Sequence, residues 1–341
     1  MVQQKIIVTG GAGYIGSHTT VALQNAGYRV VILDNLSNSD KDSMDGIVRI
    51  TGVRPEFEHI DCTDRTAMHR IFERHRDAIG VIHFAALKAV GESVEKPLLY
   101  YRNNLGGLMN VLDMMTEFKI PYLVFSSSAT VYGVPDKLPV TEDTPLQPAT
   151  SPYGQTKVMG ENIIADTVVA NSGLSATLLR YFNPIGAHPS GEIGERPNGV
   201  PNNLMPYICQ AAAGVRECLC VFGDDYDTPD GFCIRDYIDI NDLANAHVAA
   251  MRHLQSGATG VNVFNLGTGC GQSVMQLIRA FEKATGVTIP HKITSRRAGD
   301  VPAIYANACR AEQILGWRAV VPLHETLASA WRWQQKITKS K

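Results

Sequence analysis

The chain has 341 residues, 45% of them hydrophobic and 19% charged. Its 31 Lys and Arg against 33 Asp and Glu give a formal net charge of -2, which excludes the basic field that a nucleic-acid or anionic-membrane binder needs. No apolar stretch approaches the ~20 residues of a membrane span, and MVQQKIIVTG enters a strand directly, without a signal peptide's apolar core. The cysteines (Cys62, Cys209, Cys218, Cys220, Cys233, Cys270 and Cys309) are odd in number and scattered, with no Cys-x-x-Cys. They read as the reduced thiols of a cytoplasmic protein rather than a disulfide framework or a metal site.

In chain order, Lys5–Thr9, Arg29–Asp34, Glu56–Ile60, Val81–Ala85 and Tyr122–Ser126 are predicted strands. They are rich in Val and Ile and nearly continuous in apolarity, as strands buried on both faces are. Helical spacing marks Tyr14–Ala26, Arg65–Arg74, Pro97–Phe118 and Pro152–Asn171, and Ala176–Arg180 supplies another strand. This alternation predicts an α/β fold, a doubly wound parallel sheet of Rossmann type. Residues 183–203 are rich in Pro and Gly and read as irregular loop. Short strands follow at Leu219–Phe222 and Phe232–Tyr237, then a helix at Asn241–Leu254 and a further strand at Val261–Leu266. The chain is therefore expected to leave the first domain and return to it. Residues 1–183 and 239–270 would form the nucleotide-binding domain, and 184–238 and 271–341 a smaller, discontinuous α+β substrate domain. The last residues, from Lys336 on, read as a frayed tail.

Immediately after the first strand comes Gly10-Gly11-Ala12-Gly13-Tyr14-Ile15-Gly16, opening a helix. Gly10 permits the tight turn, Gly13 lets backbone approach a pyrophosphate at the helix N-terminus, and Gly16 lets helix and strand pack closely. The second strand ends in Asp34, whose carboxylate can accept both adenosine-ribose hydroxyls and repels a 2′-phosphate. Together these predict NAD as the cofactor.

Tyr153-Gly-Gln-Thr-Lys157 opens a helix after Ser151-Pro152. Tyr and Lys at i and i+4 share a helix face. A phenol with an ordinary pKa of about 10 needs a nearby cation to act as a base at neutral pH. Lys157 and the positive charge of oxidised nicotinamide are the expected cations. The fifth strand runs into Ser126-Ser127-Ser128, at the carboxyl end where an open α/β sheet binds its ligands. His83 and His188 read as packed structural histidines, and Cys218 and Cys220 as packing residues.

With these elements in order, the chain resembles the extended short-chain dehydrogenase/reductase superfamily. Further segments are similar to its UDP-glucose (UDP-galactose) 4-epimerase family: His83-Phe84-Ala85-Ala86-Leu87-Lys88-Ala89-Val90-Gly91-Glu92-Ser93, Ser126–Gly133, Leu179-Arg180-Tyr181-Phe182-Asn183-Pro184, Gly186-Ala187-His188-Pro189-Ser190-Gly191, Pro201-Asn202-Asn203-Leu204-Met205-Pro206-Tyr207, Arg235-Asp236-Tyr237 and Arg296-Arg297-x-Gly299-Asp300. The similarity runs over essentially the whole chain. It implies reversible hydride transfer from sugar C4′ to tightly held NAD, with UDP-glucose and UDP-galactose as substrates. Tyr153 would be the general base, Ser128 its hydrogen-bonding partner, and Lys157 the cation that tunes Tyr153 and binds the nicotinamide ribose. The implied NAD site is Gly10, Gly13, Tyr14, Ile15, Gly16, Asp34, Asn35, Asn38, Ser39, Asp61, Cys62, Phe84, Ala86, Lys88, Asn103, Lys157 and Tyr181. The implied UDP-sugar site is Lys88, Ser128, Tyr153, Phe182, Asn183, Asn203, Leu204, Phe222, Arg235, Tyr237, Arg297, Asp300 and Ile304. No metal is implied, and a homodimer packed through Pro97–Phe118 and the Tyr153 helix is.

Three positions discriminate among relatives. Ala129 and Thr130 stand where dehydratases of the superfamily carry Asp-Glu, and they cannot transfer protons in that way. Ile304 stands where glucose/galactose-restricted members have Tyr and members that also take N-acetylated sugars have Cys or another small residue. Its intermediate bulk predicts preference for UDP-glucose and UDP-galactose.

Overall fold

The structure is a computed structural model and describes residues 3–201, 203–297 and 299–339. Asn202, quoted in one motif above, and residues 340–341 of the tail lie outside the described residues. From the N-terminus, β1 (Lys5–Thr9), α1 (Tyr14–Asn25), β2 (Arg29–Asp34), α2 (Asp42–Thr51), β3 (Glu56–His59), α3 (Arg65–Arg74) and β4 (Ala78–His83) alternate. Then come α4 (Val90–Glu95), α5 (Pro97–Tyr100), α6 (Gly106–Glu117), β5 (Tyr122–Ser128), α7 (Pro152–Ala170), β6 (Ser175–Tyr181) and β7 (Asn183–Ile185). The remainder is α8 (Leu204–Ala212), β8 (Leu219–Phe222), β9 (Ile234–Asp239), α9 (Ile240–Gln255), β10 (Val261–Leu266), β11 (Gly271–Ser273), α10 (Val274–Thr285), β12 (His291–Thr294), β13 (Ala303–Ile304), α11 (Cys309–Leu315) and α12 (Leu323–Lys339).

Seven of these strands form one parallel sheet in the order β10-β6-β5-β4-β1-β2-β3. The order reverses between β1 and β4, the switch point where such sheets hold ligands. Alternate residues of a strand face opposite sides, and both sides are apolar here. Ile6 and Val8 join Val21 and Leu23 of α1 and Leu243 and Met251 of α9. Ile7 joins Met68 and Phe72 of α3, Leu112 of α6 and Ile164 of α7. This is the doubly wound sheet that the strand–helix alternation predicts. A second, smaller sheet, β11-β9-β13 with β7 also on β9, and the β12-β8 pair carry a separate core of Ile208, Val221, Leu277, Phe281 and Leu327.

Several elements differ from the sequence expectation. β4 occupies Ala78–His83 rather than Val81–Ala85, because its partner β1 ends at Thr9, opposite His83. Phe84–Ala86 are thereby freed to line a cavity. The single helix expected over Pro97–Phe118 contains a π turn at Tyr101–Leu105. There the buried Asn104 exchanges hydrogen bonds with the Leu87 backbone and donates to Thr156 Oγ1. β3 is an edge strand with Glu56 and His59 exposed. Within the expected loop at 183–203, β7 pairs with β9, and Lys336–Lys339 continue α12 rather than fraying.

Candidate active site

A cavity of about 1180 Å³ opens over the carboxyl ends of β1, β2, β4, β5 and β6, with the second sheet as its opposite wall. Every residue that the sequence implied for the two ligand sites lines it.

On the cofactor side, Gly10 has φ +69°, and a Cβ there would lie 2.8 Å from the Ala85 nitrogen; at Gly16 it would lie 2.2 Å from the Gly10 oxygen. A Cβ at Gly13 would meet only the Gly10 oxygen, at 3.2 Å. Bare backbone therefore faces the cavity where α1 begins. That N-terminus has no side-chain cap, so its free N–H groups and helix dipole favour an anion. Asp34 accepts from Ala12 N–H (3.0 Å), Leu36 N–H (2.9 Å) and the Ser39 hydroxyl (2.8 Å). The carboxylate expected to meet a ribose also braces the glycine loop. Asp61 accepts from Asn35 and from Thr63. Burial works to raise its carboxyl pKa, but these hydrogen bonds outweigh burial and leave it below the usual range. Burial pushes the neighbouring Cys62 thiol up to about 12, so it stays a packed thiol. The bare glycine cradle, the uncapped helix end and the acidic terminus of β2 fit a dinucleotide such as NAD.

The reactive side chains come from β5 and α7. Ser151 caps α7 by accepting from Gly154 N–H at 3.2 Å, and Pro152 occupies its first turn. This start presents Tyr153 and Lys157 to the end of β5. Lys157 Nζ donates to the Ser126 carbonyl at 2.6 Å and stands 5.9 Å from the Tyr153 ring centre. Burial pushes Lys157 down to about 8, with the charge of Glu161 opposing. Burial raises the Tyr153 phenol above its ordinary value, and a hydrogen bond with the Ser128 hydroxyl pulls the other way. Lys157 therefore does not by itself outweigh the burial of the phenol. Beside them the Ser126 and Tyr181 hydroxyls form a short hydrogen bond. His83 is buried against Thr9 at 2.7 Å, and burial followed by the charge of Lys157 takes it down to about 3. It is a neutral core residue, as the sequence suggests.

On the opposite wall, Arg235 donates to the Val301 carbonyl (2.7 Å) and pairs with Asp300 (3.5 Å). Arg297 reaches the same carboxylate at 2.8 Å and lies 5.7 Å over the Phe222 ring. Asp300 thus holds both guanidinium groups at the cavity edge. Ile304, 6% exposed, pairs with Arg235 across β13 and β9 and packs with Ala129 and Phe182. Lys88 and Asn203 converge on Glu195, at 3.3 and 2.6 Å. Glu195 and the α12 residues Trp333 and Lys336 also line the cavity, and no sequence motif singled them out. Among the described residues no group of His, Cys, Asp and Glu could hold a metal ion, and no helix is long and apolar enough to cross a membrane.

Residues 6–267 match the NAD dependent epimerase/dehydratase family. The chain is 52% identical to UDP-glucose 4-epimerase of Bacillus subtilis over 329 residues, covering 96% of each. It is 50% identical to the human UDP-glucose 4-epimerase over 339 residues, covering 98% of this chain and 97% of that one. Its fold superposes on the crystal structure of UDP-glucose 4-epimerase from Bifidobacterium longum in complex with NAD+ and UDP with a TM-score of 0.96, at 46% identity over 99% and 100% of the two chains. The glycine cradle, the Tyr153–Lys157 pair and this similarity along nearly the whole length converge: the chain belongs to the NAD-dependent epimerase/dehydratase family and, within it, to the UDP-glucose 4-epimerases.

Proposed function

We propose that the protein interconverts UDP-galactose and UDP-glucose. The observation that carries this reading is that Tyr153, Lys157 and Ser128 line one cavity together with the glycine cradle and with Arg235 and Arg297. NAD, when bound, supplies a hydride acceptor and donor for sugar C4′, so that a 4′-keto sugar stands between the two epimers. Tyr153 takes the proton of the 4′-hydroxyl and later returns it. Ser128 hydrogen-bonds the same oxygen. Lys157 keeps positive charge beside the phenol, and the charge of an oxidised nicotinamide lowers the phenol's pKa in the same sense. Arg235 and Arg297 hold the diphosphate, for which a guanidinium fork is suited, and Asn183, Asn203, Leu204 and Phe222 hold the rest of UDP. Binding energy drawn from UDP leaves the sugar loosely held, so that it can turn and present its other face.

Two separate sheets support the division at 1–183 with 239–270 and 184–238 with 271–341, since β10 rejoins the first sheet while β9, β11 and β13 form the second. Val94, Leu98 and Met109 of α4–α6, exposed beside the half-exposed Met159 of α7, support a homodimer. The free cysteines support a cytoplasmic location. The reading is tested by Tyr153→Phe, which should lower turnover by about 10²-fold or more with UDP affinity retained; near-normal turnover would refute it.

A further inference from the structure

Three successive residues at the end of β5 are each engaged by one turn of α7. The Ser128 hydroxyl lowers the Tyr153 phenol against its burial, the Ser126 carbonyl accepts from Lys157, and Ser127 Oγ donates to Glu161 Oε1 at 2.5 Å. Ser127 lies opposite Arg180 in the β5–β6 register, so both side chains leave the sheet on the α7 face. There Arg180 holds both oxygens of Glu161, Nε to Oε1 at 2.9 Å and Nη2 to Oε2 at 2.6 Å. Arg180 also donates to the Tyr132 hydroxyl, which donates to Asn265 Oδ1 at 2.6 Å. Glu161 and Arg180 are 5% and 6% exposed. A buried ion pair adds little net stability compared with apolar residues of similar volume, so its place one turn beyond Lys157 has another use.

We propose that Glu161 is a positioning residue for the Tyr153–Lys157 pair: with Ser127 and Arg180 it seats α7 on the ends of β5 and β6, so that Tyr153 and Lys157 meet the strand end that carries Ser126 and Ser128. The proposal rests on the roles given to Tyr153 and Lys157 above. The titratable and charged groups that act on Lys157 are Tyr153 and Glu161 on α7 and His83 on β4; Arg180 and Tyr132 stand behind Glu161, and Tyr181 bonds Ser126 beside it. Of these Glu161 supplies the negative charge. Burial lowers Lys157 and Glu161 opposes it, so neutralising Glu161 makes Lys157 lose its proton at lower pH, and the alkaline limb of turnover moves down with it.

The test compares the purified holoenzyme with Glu161→Gln, Glu161→Asp and the double variant Glu161→Gln/Arg180→Gln, which removes both charges and so does not leave Arg180 buried alone. Two readouts are taken: the pH profile of kcat with UDP-galactose, and NMR titration of selectively labelled lysine. Glu161→Gln should move both the alkaline limb and the Lys157 midpoint down by about one pH unit. It should lower kcat at pH 8 about tenfold, with KM changed by less than about threefold. Glu161→Asp should restore the limb, and the double variant should move it in the same direction as Glu161→Gln but less far. A folded double variant whose limb and lysine midpoint both stay at the wild-type pH overturns the proposal. Near-normal turnover by Tyr153→Phe would instead overturn the underlying assignment, and the lysine titration would still read the effect of Glu161.

Discussion

Lys157 Nζ donates to the Ser126 carbonyl at 2.6 Å, which fixes an ammonium on α7 to the strand that also carries Ser128. The bond crosses from helix to sheet at the point where β5 ends, so the relative placement of Tyr153 and Ser128 depends on it. Lys157→Met keeps most of the apolar stem but removes both charge and donor. Turnover should fall by about 10²-fold or more. Lys157→Arg should not restore it, because a planar fork cannot replace a compact ammonium in this buried pocket. Steady-state kinetics with UDP-galactose check this, and turnover by Lys157→Met within tenfold of wild type would count against the role given to Lys157.

Stability should decline on mild acidification because three histidines are buried in their neutral form. Burial takes His18 and His83 from 6.5 down to about 3 and His247 to about 4. His18 and His247 each keep one ring nitrogen without a hydrogen-bonding partner. Their folded values lie below the unfolded one, so the stability they confer is complete above pH 6.5 and is lost as pH falls toward their folded values. At pH 5 the loss is about 2 kcal/mol per histidine. Thermal unfolding between pH 7 and pH 5 should show a falling Tm, and His247→Gln should make that slope shallower. An unchanged slope would show that His247 titrates normally in the folded protein.

Ile304 should set the size of the sugar that the site accepts. It is buried at the cavity wall among Ala129, Val131 and Phe182, where an acetamido group would have to displace it. Wild-type turnover of UDP-N-acetylglucosamine should be more than about tenfold below that of UDP-glucose, since even one methylene too many in a hydrophobic pocket is worth about 10–200-fold. Ile304→Ala should narrow that gap at least tenfold. Equal turnover of the two substrates by the wild type, or an unchanged ratio in the variant, would remove Ile304 from this role.

Much of this arrangement is visible in the sequence, for identifiable reasons. β1, β2, β8 and β10 have the predicted bounds because each is a compact apolar run bounded by turn residues. The site residues implied by family resemblance share one cavity, whereas local pattern alone singled out only Gly10, Gly13, Gly16, Asp34, Tyr153, Lys157 and the serines ending β5. Features that depend on a distant partner carry no local signal. β4 is displaced because the end of β1 decides where it stops. The π turn at Tyr101–Leu105 accompanies the bonds of Asn104 to Leu87 and Thr156. Glu161 is an ordinary helical glutamate until the β5–β6 register brings Ser127 and Arg180 to it. Glu195 belongs to no recognisable spacing and enters the site only because Lys88 and Asn203 fold onto it.

The most direct test of the central claim is proton NMR of UDP-galactose incubated with the purified protein and no added cofactor. The account predicts that UDP-glucose resonances appear and approach equilibrium, because the cradle at Gly10, Gly13 and Gly16 retains NAD and each turnover regenerates it. UDP-galactose that stays unchanged both without and with added NAD would contradict the proposed function.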